Sequence, residues 1–390
     1  MRILIIHNRY KFESGEEAVV LAESELLRRN GHQVISFELS NYLLDKLNIF
    51  QKISLPFRCM WSVSSYEEVR QVIKKEKPDL AHIHNTFFLI SPSVYYACRK
   101  EGVPVVQTLH NYRFICPLAT LYRDGLVCRE CQDKGLIMSL RHKCGEKSMM
   151  WTAAMCSTLK FHHIKGTFKS LIDTYIALSN FSRERFIEAG YDPEKIKIKP
   201  NFINFDPGVA SKRGNFALYV GRCSPEKGVD ALMEAWKQVD HLPLKIIGSG
   251  DQFNEYRDYA LRYNLNIEFL GQKANSEVIN HIKDSLFVIM PSKCNENFPR
   301  TIVEAFACEV PVLASKRGAL TEIVEDNKTG LLFEPEDIPD LLKKVRLLCE
   351  NRDLAIAMGQ NARKEFEAKY TAEKNYKILM DIYEGTLSKI

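Results

Sequence analysis

Two glutamates in the stretch from Pro291 to Ala307 have the residue type and spacing to act on one ligand. Glu296 and Glu304 stand eight positions apart, after the apolar run SLFVIM. A short apolar run, a polar loop and then Pro299 predict a strand, a loop and a helix start. Glu296 then lies in the loop, and Glu304 lies about one and a half turns into the helix. Both can face one crevice, and the N–H groups of the helix start favour a ligand with phosphate. The alternative is an ordinary strand–helix unit with two solvated glutamates.

A second loop supplies positive charge. The segment NFALYVGRCSPEKG reads as a strand ending at Gly221, followed by a loop that holds Arg222 and Lys227. Two cations there suit a diphosphate leaving group, because negative charge develops on it as the bond to it breaks. Arginine can fork two phosphate oxygens, while lysine acts as a point charge. The strand LPLKIIGSGD ends in Gly248 and Gly250, which allow close backbone approach.

The first half of the chain places histidines at strand ends. VVQTLH reads as a strand that ends at His110, and DLAHIHNTF reads as a strand whose carboxyl end carries His84 and Asn85. Ligands bind at the carboxyl ends of strands in open α/β sheets. His82, inside the second strand, is expected to be a satisfied core histidine. Gly15 precedes the first helix, where a glycine is either a turn residue or part of a ligand-binding loop.

Four cysteines lie close together in the sequence, within an insertion at residues 114–146. They form one Cys-x2-Cys knuckle flanked by two single cysteines, with a hairpin expected around Asp124 and Gly125. These cysteines are Cys116, Cys128, Cys131 and Cys144. Four thiolates can make a closed tetrahedral zinc site. Structural zinc, free thiols and a disulfide all remain open from the sequence.

The order of strands and helices predicts an α/β protein with two βα-rich halves. We expect a first domain at residues 1–205, a second at 206–370 and a C-terminal helix at 371–390. A chain of 390 residues is long for one core and suits two domains. The Met- and Trp-rich stretch 147–170 has two interpretations, a membrane-interface helix or a helix packed on its own domain.

The amino-acid composition indicates the class of protein. The chain is 45% apolar and 26% charged, which is typical of a soluble globular protein. Eleven cysteines, an odd number, fit reduced thiols better than a secreted disulfide framework. We therefore expect a cytoplasmic enzyme. Residues 1–200 carry 29 Lys/Arg against 21 Asp/Glu, and the remainder carries 25 against 28. The basic first half predicts contact with an anionic membrane or a phosphorylated acceptor, unless it is merely soluble and basic.

The motif E-NFPRTIV-E, together with GR-CSPE-KG, resembles the signature of the retaining glycosyltransferases of family 4. That resemblance extends over nearly the whole chain. It implies the GT-B fold, with two facing Rossmann-like domains, an interdomain cleft and a C-terminal helix that crosses back to the first domain. It also implies that Arg222 and Lys227 hold the diphosphate, Glu304 the ribose and Glu296 the donor sugar.

The resemblance assigns further residues to the donor site. His110 would position or polarise the transferred sugar, and Gly15 and Asn85 would belong to a donor or acceptor loop. The loop Gly271, Gln272 and Lys273 would hold the nucleobase through backbone groups, assisted by Gly248 and Gly250. No catalytic metal is expected, and zinc would be structural only.

The implied reaction is transfer of a sugar from a UDP- or GDP-sugar to an acceptor hydroxyl with retention of configuration, on one face of the sugar. The leaving phosphate would help to deprotonate the acceptor. We expect a saccharide or lipid-linked saccharide as acceptor, polysaccharide assembly as the setting, and peripheral contact with the inner face of the membrane. Nucleic acid is not expected as a partner. The alternatives are a nucleotide-sugar epimerase of the same fold and a zinc-stapled nucleic-acid-binding module.

Overall fold

The structure is a computed structural model that describes residues 1–11, 15–46, 48–144, 149–210 and 213–389; for residues 49, 50, 52 and 53 it describes the backbone alone. The chain divides into two compact units. The first unit contains Met1–Leu121, Cys128–Pro200 and the segment from Asn375 onward, and the second contains Tyr122–Val127 and Asn201–Lys374.

The strands, in chain order, are β1 Arg2–Arg9, β2 Gln33–Ser40, β3 Leu80–Asn85, β4 Val105–Leu109, β5 Tyr122–Arg123, β6 Leu126–Val127, β7 Thr174–Ala177, β8 Ile196–Ile198, β9 Ala217–Val220, β10 Leu244–Ile247, β11 Ile267–Gly271, β12 Phe287–Met290, β13 Val312–Ser315 and β14 Gly330–Phe333. Those of the two large sheets pair in parallel. Parallel strands covered on both faces read as continuous apolar runs, and β3, β4, β7, β12, β13 and β14 are buried along their whole length.

The α-helices, in chain order, are α1 Gly15–Arg29, α2 Ile49–Met60, α3 Val63–Glu76, α4 Ser93–Lys100, α5 Glu130–Lys134, α6 Ile137–Arg141, α7 Met149–Ile164, α8 Thr167–Ser170, α9 Asn180–Glu188, α10 Val229–Ala235, α11 Phe253–Arg262, α12 Asn275–Asp284, α13 Arg300–Ala307, α14 Leu320–Ile323, α15 Ile338–Glu350, α16 Arg352–Lys369 and α17 Ala372–Leu387. Short 3₁₀ turns occupy Asn41–Lys46, Pro193–Lys195, Pro225–Lys227 and Trp236–Gln238.

Strand order fixes where each unit can bind a ligand. The first sheet runs β2-β1-β3-β4-β7-β8, and the second runs β11-β10-β9-β12-β13-β14. Strand order reverses between β1 and β3 in the first sheet and between β9 and β12 in the second. In open α/β sheets the crevice outside the carboxyl ends at such a switch point is the usual ligand site. The loops after β9 and β12 are the ones that carry Arg222, Lys227 and Glu296.

Local sequence explains the helices that border these crevices. Helix α1 has Glu16 and Glu17 in its first turn and Arg28 and Arg29 in its last, which matches the helix dipole. Helix α3 is capped by Ser62, whose side chain accepts the Ser65 N–H. Among the described residues no helix is both long enough and apolar enough to cross a membrane.

The predicted fold class, α/β with two Rossmann-like halves, is confirmed. The two units divide between Pro200 and Asn201, a few residues before the predicted boundary at 205, and the chain from Asn375 belongs to the first unit. The hairpin predicted inside the insertion is formed by β5 and β6. Its turn residues Asp124 and Gly125 both have positive φ, as a two-residue hairpin turn requires. The last two residues of the predicted insertion, 145–146, lie outside the described residues.

Candidate active site

In the second unit, Lys227 and Glu296 meet at the switch point. The Lys227 Nζ atom donates to Glu296 Oε1 at 2.6 Å, although the two residues are 69 positions apart. The side chain of Glu296 is 10% exposed and that of Lys227 is 21% exposed. The loops after β9 and β12 therefore bring a cation and a carboxylate together on one rim of the sheet.

Further contacts hold Glu296 in place. The Ser292 hydroxyl donates to the same carboxylate oxygen at 2.5 Å, and the Ala319 N–H donates to the Glu296 carbonyl at 2.9 Å. Burial by itself raises the pKa of Glu296, but the Lys227 ammonium and the hydrogen bonds from Lys227 and Ser292 outweigh it, so the pKa lies below its usual value. Glu296 is therefore a carboxylate at neutral pH.

Glu304 lies in the helix that follows, on its buried side. Helix α13 begins at Arg300, and Pro299 is its N-cap. The Arg300 Nη2 atom lies 3.2 Å from Glu304 Oε1, and the Glu304 side chain is 7% exposed. Burial raises the pKa of Glu304, and Arg300 opposes that rise without cancelling it. Burying a carboxylate away from water costs free energy unless hydrogen-bond donors contact it.

Arg222 differs from Lys227 in its exposure. Its side chain is 66% exposed, and its Nη2 atom lies 3.0 Å from Glu226 Oε1. The Ser224 hydroxyl donates to the same oxygen of Glu226. Arg222 also contributes to the low pKa of Glu296, so its charge reaches the pair with Lys227. Arg222, Lys227 and Glu296 thus lie close enough for their charges to interact, and Arg222 is the most exposed of the three.

The predicted glycines of this unit have different environments. A Cβ on Gly248 would lie 1.9 Å from the Gly221 carbonyl oxygen, and one on Gly250 would lie 2.5 Å from that of Cys223. These two glycines let the strand end of β10 pack against the loop that begins with Arg222. Gly271 at the end of β11 has a φ of +70° and open space where a Cβ would be.

Beyond Gly271, Gln272 is exposed, and the Lys273 ammonium donates to Glu277 at 3.2 Å. A cavity of about 390 Å³ lies elsewhere in this unit, between α10 and α11. It is lined by Asp230, Met233, Tyr256, Tyr259, Lys293 and Glu336 among others, and by none of the predicted site residues.

In the first unit, His84 and His110 form a hydrogen-bonded pair at the ends of β3 and β4. Their Nδ1 and Nε2 atoms are 2.9 Å apart, and their rings stack with centroids at 5.2 Å. Burial, and then the charges around them, hold the pKa of both rings well below the usual value. Both histidines are therefore neutral at pH 7. A cavity of about 20 Å³ next to them has room for roughly one water molecule.

A buried ion pair lies behind this histidine pair. Lys199 donates to Glu23, and both side chains are fully buried. The other Glu23 oxygen, Oε2, lies 3.8 Å from His84 Nε2. His82 is satisfied, as predicted for a core histidine, because its two nitrogens pair with the hydroxyls of Tyr383 and Thr108 at 2.7 Å each. Tyr383 belongs to α17, so the C-terminal helix completes the network.

The charge of Glu23 bears on the tautomer of the pair. Its Oε2 atom lies 3.8 Å from His84 Nε2, which is too far for a hydrogen bond, but the negative charge favours a proton on that nitrogen. His84 Nδ1 is then an acceptor, so His110 Nε2 must carry the proton in their hydrogen bond. We assign His110 as the Nε2–H tautomer, whose Nδ1 offers a lone pair. A neutral ring of this kind can accept a hydrogen bond from a hydroxyl group.

The other two predicted residues of this unit have contrasting positions. Asn85 donates to the Asn8 carbonyl at 2.8 Å and accepts the Phe87 N–H at 2.9 Å, so both ends of its amide shape the loop after β3. Gly15 is exposed at the start of α1, and a Cβ there would meet no atom within 4 Å.

The four predicted zinc ligands are half-buried cysteines. Among the described residues, a different group of metal-binding side chains lies with its ligand atoms all within 4.8 Å, namely Glu23, His82 and His84. That group is not a convincing cation site. The Lys199 ammonium already neutralises Glu23, and both His82 nitrogens have hydroxyl partners.

The sequence interpretation missed the residues that support the site from behind. Glu23 and Lys199 lie 176 positions apart, and no local pattern links them. Ser292 could have been found, because it stands four residues before Glu296 in the same loop. Glu16 and Glu17, which lie 3.8 and 3.7 Å from His7 at the end of β1, add acidic groups to the rim of the first sheet.

Comparison with known proteins gives a consistent result. Residues 14–134 match the family model described as Glycosyltransferase Family 4, and residues 202–365 match that of Glycosyl transferases group 1. The uncharacterized glycosyltransferase MJ1178 of Methanocaldococcus jannaschii is 38% identical over 171 residues, which cover 44% of this chain and 48% of that protein.

Two further similarities extend over nearly the whole chain. The UDP-Gal:alpha-D-GlcNAc-diphosphoundecaprenol alpha-1,3-galactosyltransferase of Escherichia coli is 25% identical over 407 residues, covering 95% of this chain and 93% of that one. The crystal structure of Anabaena Alr3699/HepE in complex with UDP-glucose superposes with a TM-score of 0.70 at 19% identity, with full coverage of both chains. The fold is therefore GT-B, and the chain belongs to the family 4 glycosyltransferases, with a family 4 domain in its first half and a group 1 domain in its second.

Proposed function

We propose that this glycosyltransferase is a retaining enzyme that transfers a sugar from a UDP- or GDP-sugar to an acceptor hydroxyl. The observation that carries the proposal is the pair of Lys227 and Glu296, with Arg222 beside it, at the switch point of the second sheet. Two cations after the carboxyl end of β9 suit a diphosphate, and a buried carboxylate after that of β12 suits hydroxyl groups. The relatives leave the epimerase and nucleic-acid hypotheses without support.

Binding of the donor requires Lys227 to change partner. Its ammonium, bound to Glu296 in this structure, turns to the diphosphate when the donor arrives. This exchange frees the Glu296 carboxylate, still held by Ser292, to accept hydrogen bonds from hydroxyls of the donor sugar. The exposed Arg222 then closes on the outer phosphate oxygens. As the glycosidic bond breaks, both cations stabilise the charge that develops on the leaving group, so no metal ion is needed for this step.

Glu304 and the loop after β11 hold the rest of the nucleotide. The buried Glu304 side chain accepts hydrogen bonds from the two ribose hydroxyls, and Arg300, 3.2 Å away, opposes the rise that burial causes in the pKa of Glu304. The open space above Gly271 receives the base, which contacts the backbone of Gly271, Gln272 and Lys273. UDP is the first candidate, since UDP-glucose is the ligand bound to the Anabaena protein.

His110 acts on the transferred sugar. As a neutral ring it accepts a hydrogen bond from a sugar hydroxyl and adds no positive charge next to the anomeric carbon. Gly15 and Asn85 belong to the same rim of the first unit, where the acceptor binds. The acceptor hydroxyl attacks on the face that the leaving phosphate occupies, and that phosphate takes up its proton, which gives retention.

The acceptor is proposed to be a lipid-linked saccharide at the cytoplasmic face of a membrane, as in polysaccharide assembly. The Escherichia coli relative acts on a diphosphoundecaprenol-linked sugar by its printed name. The sequence of the first unit carries a net positive charge. Helices α2 and α7 pack together and expose large apolar side chains, Phe57 on α2 and Met150 and Ile164 on α7. The opposite side of α7 is buried on its own unit, as one of the two interpretations expected.

Sedimentation with vesicles tests the membrane contact. We expect binding to vesicles that contain an anionic lipid, weakening as salt screens the charges, and weaker binding by Met150→Ser. Leu261→Ser, a change at an equally exposed apolar residue of the second unit, serves as the control. Equal binding of neutral and anionic vesicles, or an equal loss in both variants, would refute the assignment of this surface.

Calorimetry with UDP, GDP and ADP in the presence of a chelator tests the donor site. We expect one nucleotide to bind, with affinity lost in Glu304→Ala and kept in Glu350→Ala, a change at an exposed glutamate at the end of α15. Binding that needs a divalent metal would overturn the metal-independent proposal. Equal affinity of the wild type and Glu304→Ala would overturn the role of Glu304.

A further inference from the structure

The insertion in the first domain has little core of its own. Between Cys116 and Cys144 it consists of the β5–β6 hairpin and the one-turn helices α5 and α6. No residue of α5 is buried, and Ser139 is the one buried residue of α6. Ala119, Leu121 and Tyr122 are buried, but no apolar residue from 123 to 144 is, so this part needs another source of stability, as small domains do.

A turn at Leu121 brings the first two cysteines together. The Ala119 N–H donates to the Cys116 carbonyl at 2.8 Å, so the chain turns directly after Cys116. Further along, the Leu121 carbonyl accepts the Cys128 N–H at 2.8 Å. Ala119 and Leu121 have φ values of +66° and +50°, an uncommon conformation for residues with a Cβ. This turn therefore brings the chain that follows Cys116 beside Cys128.

A second turn, at Ser139, does the same for the other two cysteines. The Ser139 N–H donates to the Leu136 carbonyl at 3.0 Å, and the Cys144 N–H donates to the Ser139 carbonyl at 3.0 Å. Helix α5, which contains Cys131, packs against α6, which contains Ser139. The Cys128-x2-Cys131 knuckle joins the two turns.

We propose that Cys116, Cys128, Cys131 and Cys144 bind one Zn²⁺ ion as four thiolates. Each thiol gives up its proton on binding, so four protons leave as one dication enters, and the site carries two negative charges. Zinc binding itself drives this loss of protons, because the thiolate is the form of cysteine that binds a metal ion.

The site must close on the metal. Zinc–sulfur bonds of about 2.3 Å place the sulfurs of a tetrahedral site roughly 3.8 Å apart. In the part of the chain that the structure describes, no three of these four sulfurs lie within 4.8 Å of one another. Zinc binding must therefore draw the two turns together. The ion then fixes the base of the β5–β6 hairpin, because Cys116 and Cys128 flank it. It has a structural role and no part in the transfer reaction.

Metal analysis of the full-length protein, purified under reducing conditions without a metal-affinity step, tests this inference. We expect about one zinc ion per chain in the wild type and in Cys349→Ser, a change at a half-buried cysteine outside the insertion. Cys131→Ser is expected to lose the zinc. Cobalt supplied in place of zinc should give the absorption bands of a tetrahedral thiolate site in the wild type.

A thiol count keeps the inference falsifiable if Cys131→Ser fails to fold. A thiol reagent added to the folded wild-type protein should release zinc as it modifies four cysteines. A wild-type protein without zinc, in which all eleven cysteines titrate after unfolding, would show free thiols and overturn the proposal. Fewer titrating thiols without zinc would show a disulfide and overturn it as well.

Discussion

Exchange of partners by Lys227 makes a prediction in which two neighbouring variants have opposite effects. The Lys227 ammonium and the Glu296 carboxylate form a largely buried pair at 2.6 Å. If the diphosphate takes over Lys227, then Glu296 competes with the ligand for that cation and also repels it. Lys227→Met should therefore weaken UDP binding, and Glu296→Gln should strengthen it.

The magnitude follows from the contacts. A hydrogen bond to a charged group contributes about 1.5–3 kcal/mol, so Lys227→Met should weaken UDP roughly ten- to one-hundred-fold. In that variant the unpaired Glu296 carboxylate adds repulsion. The double variant Lys227→Met/Glu296→Gln should therefore bind UDP more tightly than Lys227→Met alone, with a coupling energy on the order of 1 kcal/mol.

Isothermal calorimetry with UDP alone is the appropriate assay, because UDP has no sugar for Glu296 to hold. A sugar-transfer assay of the same variants should show low activity for Glu296→Gln despite its tighter UDP binding. Weaker UDP binding by Glu296→Gln, comparable to that of Lys227→Met, would refute the exchange and would mean that the pair binds the nucleotide as one unit.

Three further predictions concern the groups around the two switch points. His84→Leu should lower kcat and change the ¹⁵N chemical shifts of the His110 ring. His84→Asn, which keeps a polar group near the Nδ1 position, should recover part of both effects. Unchanged shifts in His84→Leu would contradict the tautomer assignment. Lys199→Met should lower the free energy of unfolding of the first unit by about 3–5 kcal/mol in a denaturant titration, because it leaves Glu23 buried and unpaired. Adding Glu23→Gln should restore much of that loss. A change below about 1 kcal/mol would contradict the buried pair. Because the pKa of Glu296 is lowered in the folded state, its ion pair stabilises the fold fully above the ordinary pKa of 4.5 and loses this contribution as pH falls through the folded-state pKa. The variant Lys227→Met/Glu296→Gln should therefore lose stability less steeply in acid than the wild type does. Parallel curves of stability against pH would argue against the pair.

The second sheet and its rim could be predicted from the sequence because the necessary signals are local. A buried parallel strand is an uninterrupted apolar run, and the loop after it begins where that run ends, so β9 and β12 place Arg222 and Glu296 at their carboxyl ends. The hairpin was predictable for a similar reason, since Asp124 and Gly125 suit a two-residue turn. The contact of Lys227 with Glu296 needs the strand order, which the sequence alone supplied only through the family resemblance.

The network behind His110 could not be predicted, because its members come from distant parts of the chain. Glu23 lies on α1, Lys199 follows β8, and Tyr383 lies on α17. A buried glutamate in an amphipathic helix looks like a surface residue that happens to fall on the apolar side. Only the parallel order of the first sheet shows that this carboxylate lies under the ends of β3 and β4, where it meets His84.

The measurement that tests the central claim most directly is the configuration of the first product. Incubating the enzyme with the donor sugar nucleotide that binds, and recording proton NMR spectra before the anomers equilibrate, shows the anomer released by transfer to water or to a saccharide acceptor. The account predicts the same anomeric configuration as in the donor, and loss of this turnover in Glu304→Ala. A product of opposite configuration would contradict the retaining mechanism, and turnover that is unchanged in Glu304→Ala would contradict the proposed donor site.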